Sequence, residues 1–283
     1  EVLYQIEPVF PAATIYYKHQ AAEEAREISD RVNTGIASRM LNWGNFDDEL
    51  RRVNNVLHNA RSNMAVLEKE KIRTNRKAVA VIGSGPSIDT RIEDLKKIRE
   101  KVLVVSAGTS LKVLYRNGIT PDYHVELDPQ FLVYEHLKEI NHEYLSNITL
   151  LAVLEVNPYV PELFGDCVFY AKSGSFYSGL LGKGIAGFRR CNPTCTNAAA
   201  AIFAQLGIRN ILLFGCDYGF WEIARDHSRA SVYGSDDDSG VGLALKEKTR
   251  SKQSRKRIFV VDAVQGGTIY TRADYYDAKQ QME

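Results

Sequence analysis

Four cysteines in 283 residues, Cys167, Cys191, Cys195 and Cys216, are too few and too scattered to staple a fold. Only Cys191 and Cys195 lie close together, and no histidine or second cysteine pair accompanies them at zinc-site spacing, so no metal site is expected. Long hydrophobic runs are missing as well. The stretch from Leu150 to Leu154 is among the longest, far short of the roughly 20 residues a bilayer span requires. An excess of either charge is missing too: 36 Lys and Arg stand against 35 Asp and Glu, for a net charge of +1. Nothing in that balance calls for nucleic acid or an anionic membrane as partner. No basic, apolar, small-residue series opens the chain, so no signal peptide is read and a reducing, cytoplasmic setting is expected. The chain starts at Glu1 rather than Met, which points to a natural N-terminus further upstream. Internal repeats and low-complexity segments are absent.

What remains reads as two regions. Residues 1–75 look mostly helical, with Phe46, Leu50, Val53, Val56 and Leu57 at helical spacing and a charged run from Glu68 to Lys77 as a solvated helix end. These helices pack either on the following domain or on a second subunit, which leaves homo-oligomerisation open. From residue 76 to 283 short, continuously apolar, β-branched runs alternate with helical stretches. The runs are Ala78–Ile82, Val102–Val105, Tyr123–Leu127, Ile148–Leu154, Cys167–Ala171 and Ile211–Phe214, and helices are expected at Ile92–Ile98 and Leu111–Tyr115. Strands buried on both faces have that composition. The expected fold is therefore α/β: a Rossmann-like, doubly wound, mostly parallel sheet.

Asn192 and Pro193 suit the cap and first position of a later helix that Gly207 would stop. Residues 218–256 read as loop, ending in a basic stretch from Lys246 to Arg257 that suits either a solvated loop or a lid over an anion. The segments Ile258–Val261 and Thr268–Thr271 flank Gly266-Gly267 as a hairpin, and a polar helical tail follows.

Ligands of open parallel sheets bind beyond the carboxyl ends of the strands. The first such end is Gly83-Ser84-Gly85-Pro86-Ser87, where glycines allow close approach and a helix start suits a phosphate. It matches neither the Walker motif nor the dinucleotide fingerprint. A structural strand-to-helix turn would have the same residues. The second end is Ser106-Ala107-Gly108, small and polar where a base or ribose could pack. The third carries Glu126 and Asp128 on one side of the strand, with a helix cap as the other reading of Asp128. The last is Gly215-Cys216-Asp217-Tyr218.

As an ordered set, Gly83 to Ser87, Ile119-Thr120-Pro121-Asp122, Asp128-Pro129 and Leu206-Gly207 leading to Gly215-Cys216-Asp217 resemble the motility accessory factor family over roughly residues 40–283. Members of that family are similar to bacterial sialyltransferases and are implicated in flagellin glycosylation. The resemblance implies a glycosyltransferase that moves a nonulosonic, sialic-acid-like sugar from a CMP donor to a protein Ser/Thr or glycan hydroxyl, without a metal. It also implies that Gly83 to Ser87 lie near the donor phosphate, and that Ser106 to Gly108 and Asp128 line the nucleotide pocket. Thr194, Cys195 and Thr196 would face the donor from a helix start. The related sialyltransferases carry Asn in place of Asp128 and Ser-Gly in place of Cys195-Thr196. An Asp accepts hydrogen bonds where an Asn can also donate, which leaves the base open between cytidine and adenosine.

Such a transfer needs the leaving phosphate stabilised and the acceptor hydroxyl deprotonated. Asp217 and His227 are the expected catalytic groups, although a lone loop histidine also suits a solvated surface. Tyr218 could stack on sugar or base. The same residues resemble archaeal pterin pyrophosphokinases, which would use ATP and magnesium. A nucleotide-sensing module without chemistry is a third reading.

Overall fold

The computed structural model describes residues 22–29, 46–62, 65–68, 78–177, 187–253, 258–264 and 266–283. Two units are distinguished, Glu1–Asn45 and Phe46–Glu283. In the first, residues 22–29 form a helix. The rest of this section concerns the second.

Its centre is a seven-stranded, all-parallel sheet: β1 (Ala65–Val66), β2 (Ala78–Ile82), β3 (Val102–Ala107), β4 (Tyr123–Glu126), β5 (Thr149–Val153), β6 (Asp166–Tyr170) and β7 (Ile211–Phe214). The spatial order is β1-β6-β5-β4-β3-β2-β7. All six apolar runs expected as strands are strands. Their double-sided burial is visible residue by residue in β2. Val79 and Val81 join one core, with Ala198, Ala199, Ile202 and Phe203 of helix α6 (Cys195–Gln205). Ala80 and Ile82 join the other, closed by Ile88 and Leu95 of α2 (Ile88–Ile98) and by Val113 and Leu114 of α3 (Ser110–Arg116). Each large apolar side chain so buried contributes about 1.5–3 kcal/mol, which is what fixes the strand faces.

From β2 to β6 the chain steps steadily in one direction, then returns so that β7 pairs with the free side of β2. The strand order therefore reverses between β2 and β7, the crevice where open α/β sheets receive ligands. Two short helices, α4 (Phe131–Leu137) and α5 (His142–Ser146), lie between β4 and β5. Beyond β7 come α7 (Gly240–Gln253), the antiparallel hairpin β8 (Ile258–Asp262) and β9 (Thr268–Arg272), and α8 (Ala273–Met282).

Four local expectations are corrected. Part of the stretch read as loop over 218–256 is α7: Leu, Ala, Lys and Glu favour a helix even without a strong apolar stripe, and Leu245 anchors it by burial. Its basic residues up to 253 are thus helical, and 254–257 lie outside the described residues. Helix α6 is capped by Thr194 rather than Asn192, because the Thr194 hydroxyl accepts from the Asn197 N–H at 3.3 Å. Ala65-Val66, within the region read as helical, pairs with β6 as an edge strand. Leu67-Glu68 is not helical, and the rest of that charged run, 69–77, lies outside the described residues.

Helix α1 (Phe46–Asn59) forms as its spacing predicts, yet it docks by its polar side. Asn55 donates to the Pro129 and Glu155 carbonyls at 3.1 and 2.9 Å, and Asn59 to those of Leu154 and Val156 at 2.9 Å each. These carbonyls follow β4 and β5, so α1 lies at the carboxyl edge of the sheet. Of its apolar positions only Val56 is buried, while Phe46, Leu50, Val53 and Leu57 are exposed.

Candidate functional site

The two glycine-bearing strand ends meet at the switch point. Gly83 N–H donates to the Phe214 carbonyl at 2.7 Å and Gly85 N–H to that of Gly215 at 2.8 Å. A Cβ on Gly215 would fall 2.5 Å from the Gly83 carbonyl oxygen, and Gly215 has φ +62°. A Cβ on Gly85 would fall 2.5 Å from the Asp217 carboxylate. These glycines are therefore required by β2 and β7 passing so closely at their ends.

Asp217 explains the next residues. Its carboxylate accepts from the Ser87 N–H at 2.8 Å and from the Ser87 hydroxyl at 2.5 Å. Burial raises its pKa, against the lowering effect of both Ser87 donors. The Ser87 hydroxyl makes no cap of its own on α2; a carboxylate 130 residues away does that work. Three N–H groups of the turn, those of Gly83, Gly85 and Ser87, are thus taken up within the protein, which leaves the Ser84 N–H. The Ser84 hydroxyl pairs with that of Thr109 at 2.7 Å.

At the start of α6 the hydroxyls form a chain: Thr194 to Thr196 at 2.7 Å, and Thr196 to Tyr218 at 2.8 Å. Tyr218 reaches it from a strained backbone, φ +49°, held by the Thr271 hydroxyl on its carbonyl at 2.7 Å. Burial pushes the Tyr218 phenol up to about 12, so it stays a neutral donor. Tyr218, expected at a strand end, is thus brought to Thr194 and Thr196, expected together at the helix start.

Of Ser106-Ala107-Gly108, the first two are buried beneath the edge. The Ser106 hydroxyl is spent on His124 Nδ1 at 2.9 Å, and only Gly108, with φ +54°, reaches the surface, where a Cβ would fall 3.2 Å from Cys195 Sγ. Asp128 is exposed at the end of β4 and turns its Oδ1 back to the Gln130 N–H at 2.9 Å, while Gln130 takes the cap position of α4. Beside it Glu126 is 2% exposed. Its Oε1 accepts from the N–H groups of Leu127 and Asp128 at 2.7 and 2.9 Å and from Cys195 Sγ at 3.3 Å. Burial pushes Glu126 up to about 7, helped by the Asp128 carboxylate and opposed by the N–H groups of Asp128 and Leu127 and by the Cys195 thiol. His124, behind it, is driven down to about 3 by burial and is neutral.

The segment that follows Tyr218 folds back over this edge. Ser228 N–H donates to the Ser84 carbonyl at 2.8 Å and the Ser228 hydroxyl to Asp89 at 2.5 Å. Lys112 holds the buried Asp237 at 2.6 Å. Next to Ser228, His227 Nδ1 pairs with Asp226 at 2.9 Å, and Nε2 faces the Tyr275 hydroxyl at 3.3 Å. Arg272 binds Asp226 at 2.6 Å and stacks on the Tyr275 ring at 3.9 Å. Burial raises the pKa of Asp226 less than His227 and Arg272 lower it, so it is ionised. The ring of Tyr233 packs 4.8 Å from that of His227. Its phenol is pushed up to about 12 by burial and then by Asp128, Glu126, Asp226 and Cys195.

Tyr233, Tyr275, Arg272 and the buried state of Glu126 were not among the expected site residues. Among the described residues no three His, Cys, Asp or Glu side chains converge as metal ligands, and no helix is long and apolar enough to cross a membrane.

Three comparisons bear on this geometry. The family model for 6-hydroxymethylpterin diphosphokinase MptE-like proteins matches residues 52–222, more than half of the chain. A stretch of 63 residues is 30% identical to an uncharacterized protein of Treponema pallidum (strain Nichols), covering 22% of this chain and 30% of that one. The MAf glycosyltransferase from Magnetospirillum magneticum AMB-1 superposes with a TM-score of 0.67 at 22% identity, over 95% of this chain and 38% of that one. At that identity the likeness establishes the fold. The chain spans well under half the length of either protein.

Proposed function

The chain belongs to the 6-hydroxymethylpterin diphosphokinase MptE-like family, and on that premise we propose that its strand-end site is that of a glycosyltransferase with a nucleotide-activated donor. In this reading the donor is a CMP-activated nonulosonic sugar, and the acceptor is a protein Ser/Thr, as in flagellin, or a glycan hydroxyl. The reaction belongs in the cytoplasm, where such a donor would be met.

One observation carries the proposal: the hydroxyl chain Thr194–Thr196–Tyr218 stands at the N-terminus of α6, beside the switch point. A helix start suits a departing phosphate, and the neutral hydroxyls of Thr194 and Tyr218, which donate to Asn197 Oδ1 at 2.5 and 3.3 Å, would turn to it on binding. The start of α2 suits it less, since the Asp217 carboxylate already occupies it. The phosphate therefore belongs at Thr194 to Thr196, with Ser84 as a further donor, and the nucleoside runs along Gly108 and Asp128. Asp217 holds the Gly83 to Ser87 turn in place. His227, with both ring nitrogens engaged, secures the covering segment through Asp226 and Tyr275 and can accept a proton only by releasing Tyr275. The fold shared with a glycosyltransferase supports the same reading.

Among the described residues no three His, Cys, Asp or Glu side chains converge to hold a metal. A second reading, ATP-dependent diphosphoryl transfer to a hydroxymethylpterin with magnesium brought by the nucleotide, is favoured by the family's description and by the acidic edge of Glu126, Asp128, Asp217 and Asp226. The test is release of CMP from a CMP-nonulosonic acid in excess EDTA. Turnover supports the transferase. No CMP release, together with AMP formed from ATP, magnesium and hydroxymethylpterin, replaces it with the second reading.

A further inference from the structure

Both groups that the sequence offers as catalysts are engaged by their own chain: Asp217 by Ser87, and His227 by Asp226 and Tyr275. Glu126 differs. It ends β4, the middle strand of the sheet. One of its oxygens, Oε1, is saturated by three donors. The other, Oε2, has no hydrogen bond among the described residues and lies 3.8 Å from His124 Nε2, a nitrogen that itself has no hydrogen-bond partner among them. Among the described residues, Glu126 meets His124 from its own strand and Cys195 from α6, and the other titratable groups coupled to it electrostatically are Asp128 from the turn after it, Tyr170 from β6 and Tyr233 from the covering segment. No lysine or arginine is among them. A buried carboxyl without a cation is costly to ionise, and it is kept here at a strand end where a small polar residue would satisfy the same two N–H groups.

We infer that Glu126 is the general base of this site, taking the proton of the attacking hydroxyl on Oε2, the oxygen that the strand-end N–H groups and Cys195 leave open. The inference rests on the proposed transferase reading. In the step, the acceptor O–H bond breaks and its proton passes to Oε2. The oxygen pair forms the bond to the anomeric carbon, and the bond from that carbon to the phosphate breaks, its electron pair leaving with CMP. The burial that lifts Glu126 to about 7 matches this task, since a base is most effective with its pKa near the working pH. Cys195 serves as a positioning residue: its thiol on Oε1 favours the ionised carboxylate.

The experiment is a pair of pH–rate profiles with a CMP-nonulosonic acid, for the wild type and for Glu126→Gln, alongside calorimetric CMP binding. The expected result is an acidic limb centred near 7 in the wild type. In the variant the rate falls roughly 10²–10⁴-fold and the limb disappears, while CMP affinity stays within about threefold. Cys195→Ala should move the limb to higher pH, a shift that a merely structural cysteine would not produce. Retention of rate and limb in Glu126→Gln overturns the inference, and so does loss of CMP binding along with rate. A wild type that releases no CMP fails the transferase reading itself. The same profiles with ATP, magnesium and hydroxymethylpterin then decide Glu126, because that reaction also starts from a hydroxyl, and an unaffected variant there refutes its role.

Discussion

Glu126→Gln should make the protein more stable, and increasingly so as the pH rises. Raising this carboxyl from 4.5 to about 7 disfavours its ionised form by about 3 kcal/mol, at about 1.36 kcal/mol per unit. The sign follows from proton counts. Between those two values the folded state holds a proton on Glu126 that the unfolded chain has released. Stability therefore falls as the pH climbs through that window, and the loss is complete above the folded value. Glutamine carries no such penalty. Its Oε1 can keep the Leu127 and Asp128 N–H bonds, and its amide faces the unpartnered His124 Nε2. Below the ordinary carboxyl range the two proteins should melt together. Above neutrality the variant should lead by about 3 kcal/mol, roughly 6–12 °C for a domain of this size. Differential scanning calorimetry of both proteins between pH 4 and 8.5 reads this directly. His124, driven down to about 3, depresses the stability of both proteins on the acid side. A melting-temperature gap that stays flat across the range would refute the claim that Glu126 is buried without a compensating charge.

Two further outcomes follow from the packing. Gly215→Ala places a Cβ 2.5 Å from the Gly83 carbonyl at φ +62°, so chemical denaturation should show a loss of at least about 3 kcal/mol; a loss under about 1 kcal/mol would contradict the close pass of β2 and β7. Asn59→Ala strands the Leu154 and Val156 carbonyls and should cost about 1–3 kcal/mol, with hydrogen exchange rising in α1 before the sheet; uniform exchange across both would count against α1 docking through its asparagines.

The sheet was legible because strands covered on both faces must be apolar at every position, as in Ala78–Ile82, and such runs stand out against any charged helix. Helix α7 was not, since Gly240 and Gly242 open it and the charged residues that follow carry no apolar period. The docking side of α1 was misleading for a physical reason: its apolar stripe is the side turned outward, while Asn55 and Asn59, four apart on one face, answer four carbonyls that no sequence pattern announces. At the site, the glycines and threonines could be found because each sits at a strand or helix end. The partnership of Asp217 with Ser87 spans 130 residues, and Arg272, Tyr275 and Tyr233 are single residues that only the chain's return over the edge brings to Asp226 and His227. The burial of Glu126 could have been suspected from its place at the end of an apolar strand, whereas its lack of a cation could not.

The central claim is a nucleotide site at the carboxyl edge of the sheet, with the phosphate at the start of α6. Calorimetric titration with CMP and with ATP, each with and without magnesium, on the wild type and on a Thr194→Val, Thr196→Val double variant tests it most directly. Metal-independent binding of CMP that the double variant weakens about tenfold or more is the result the account predicts. Binding of ATP alone, dependent on magnesium and indifferent to the two threonines, would contradict it.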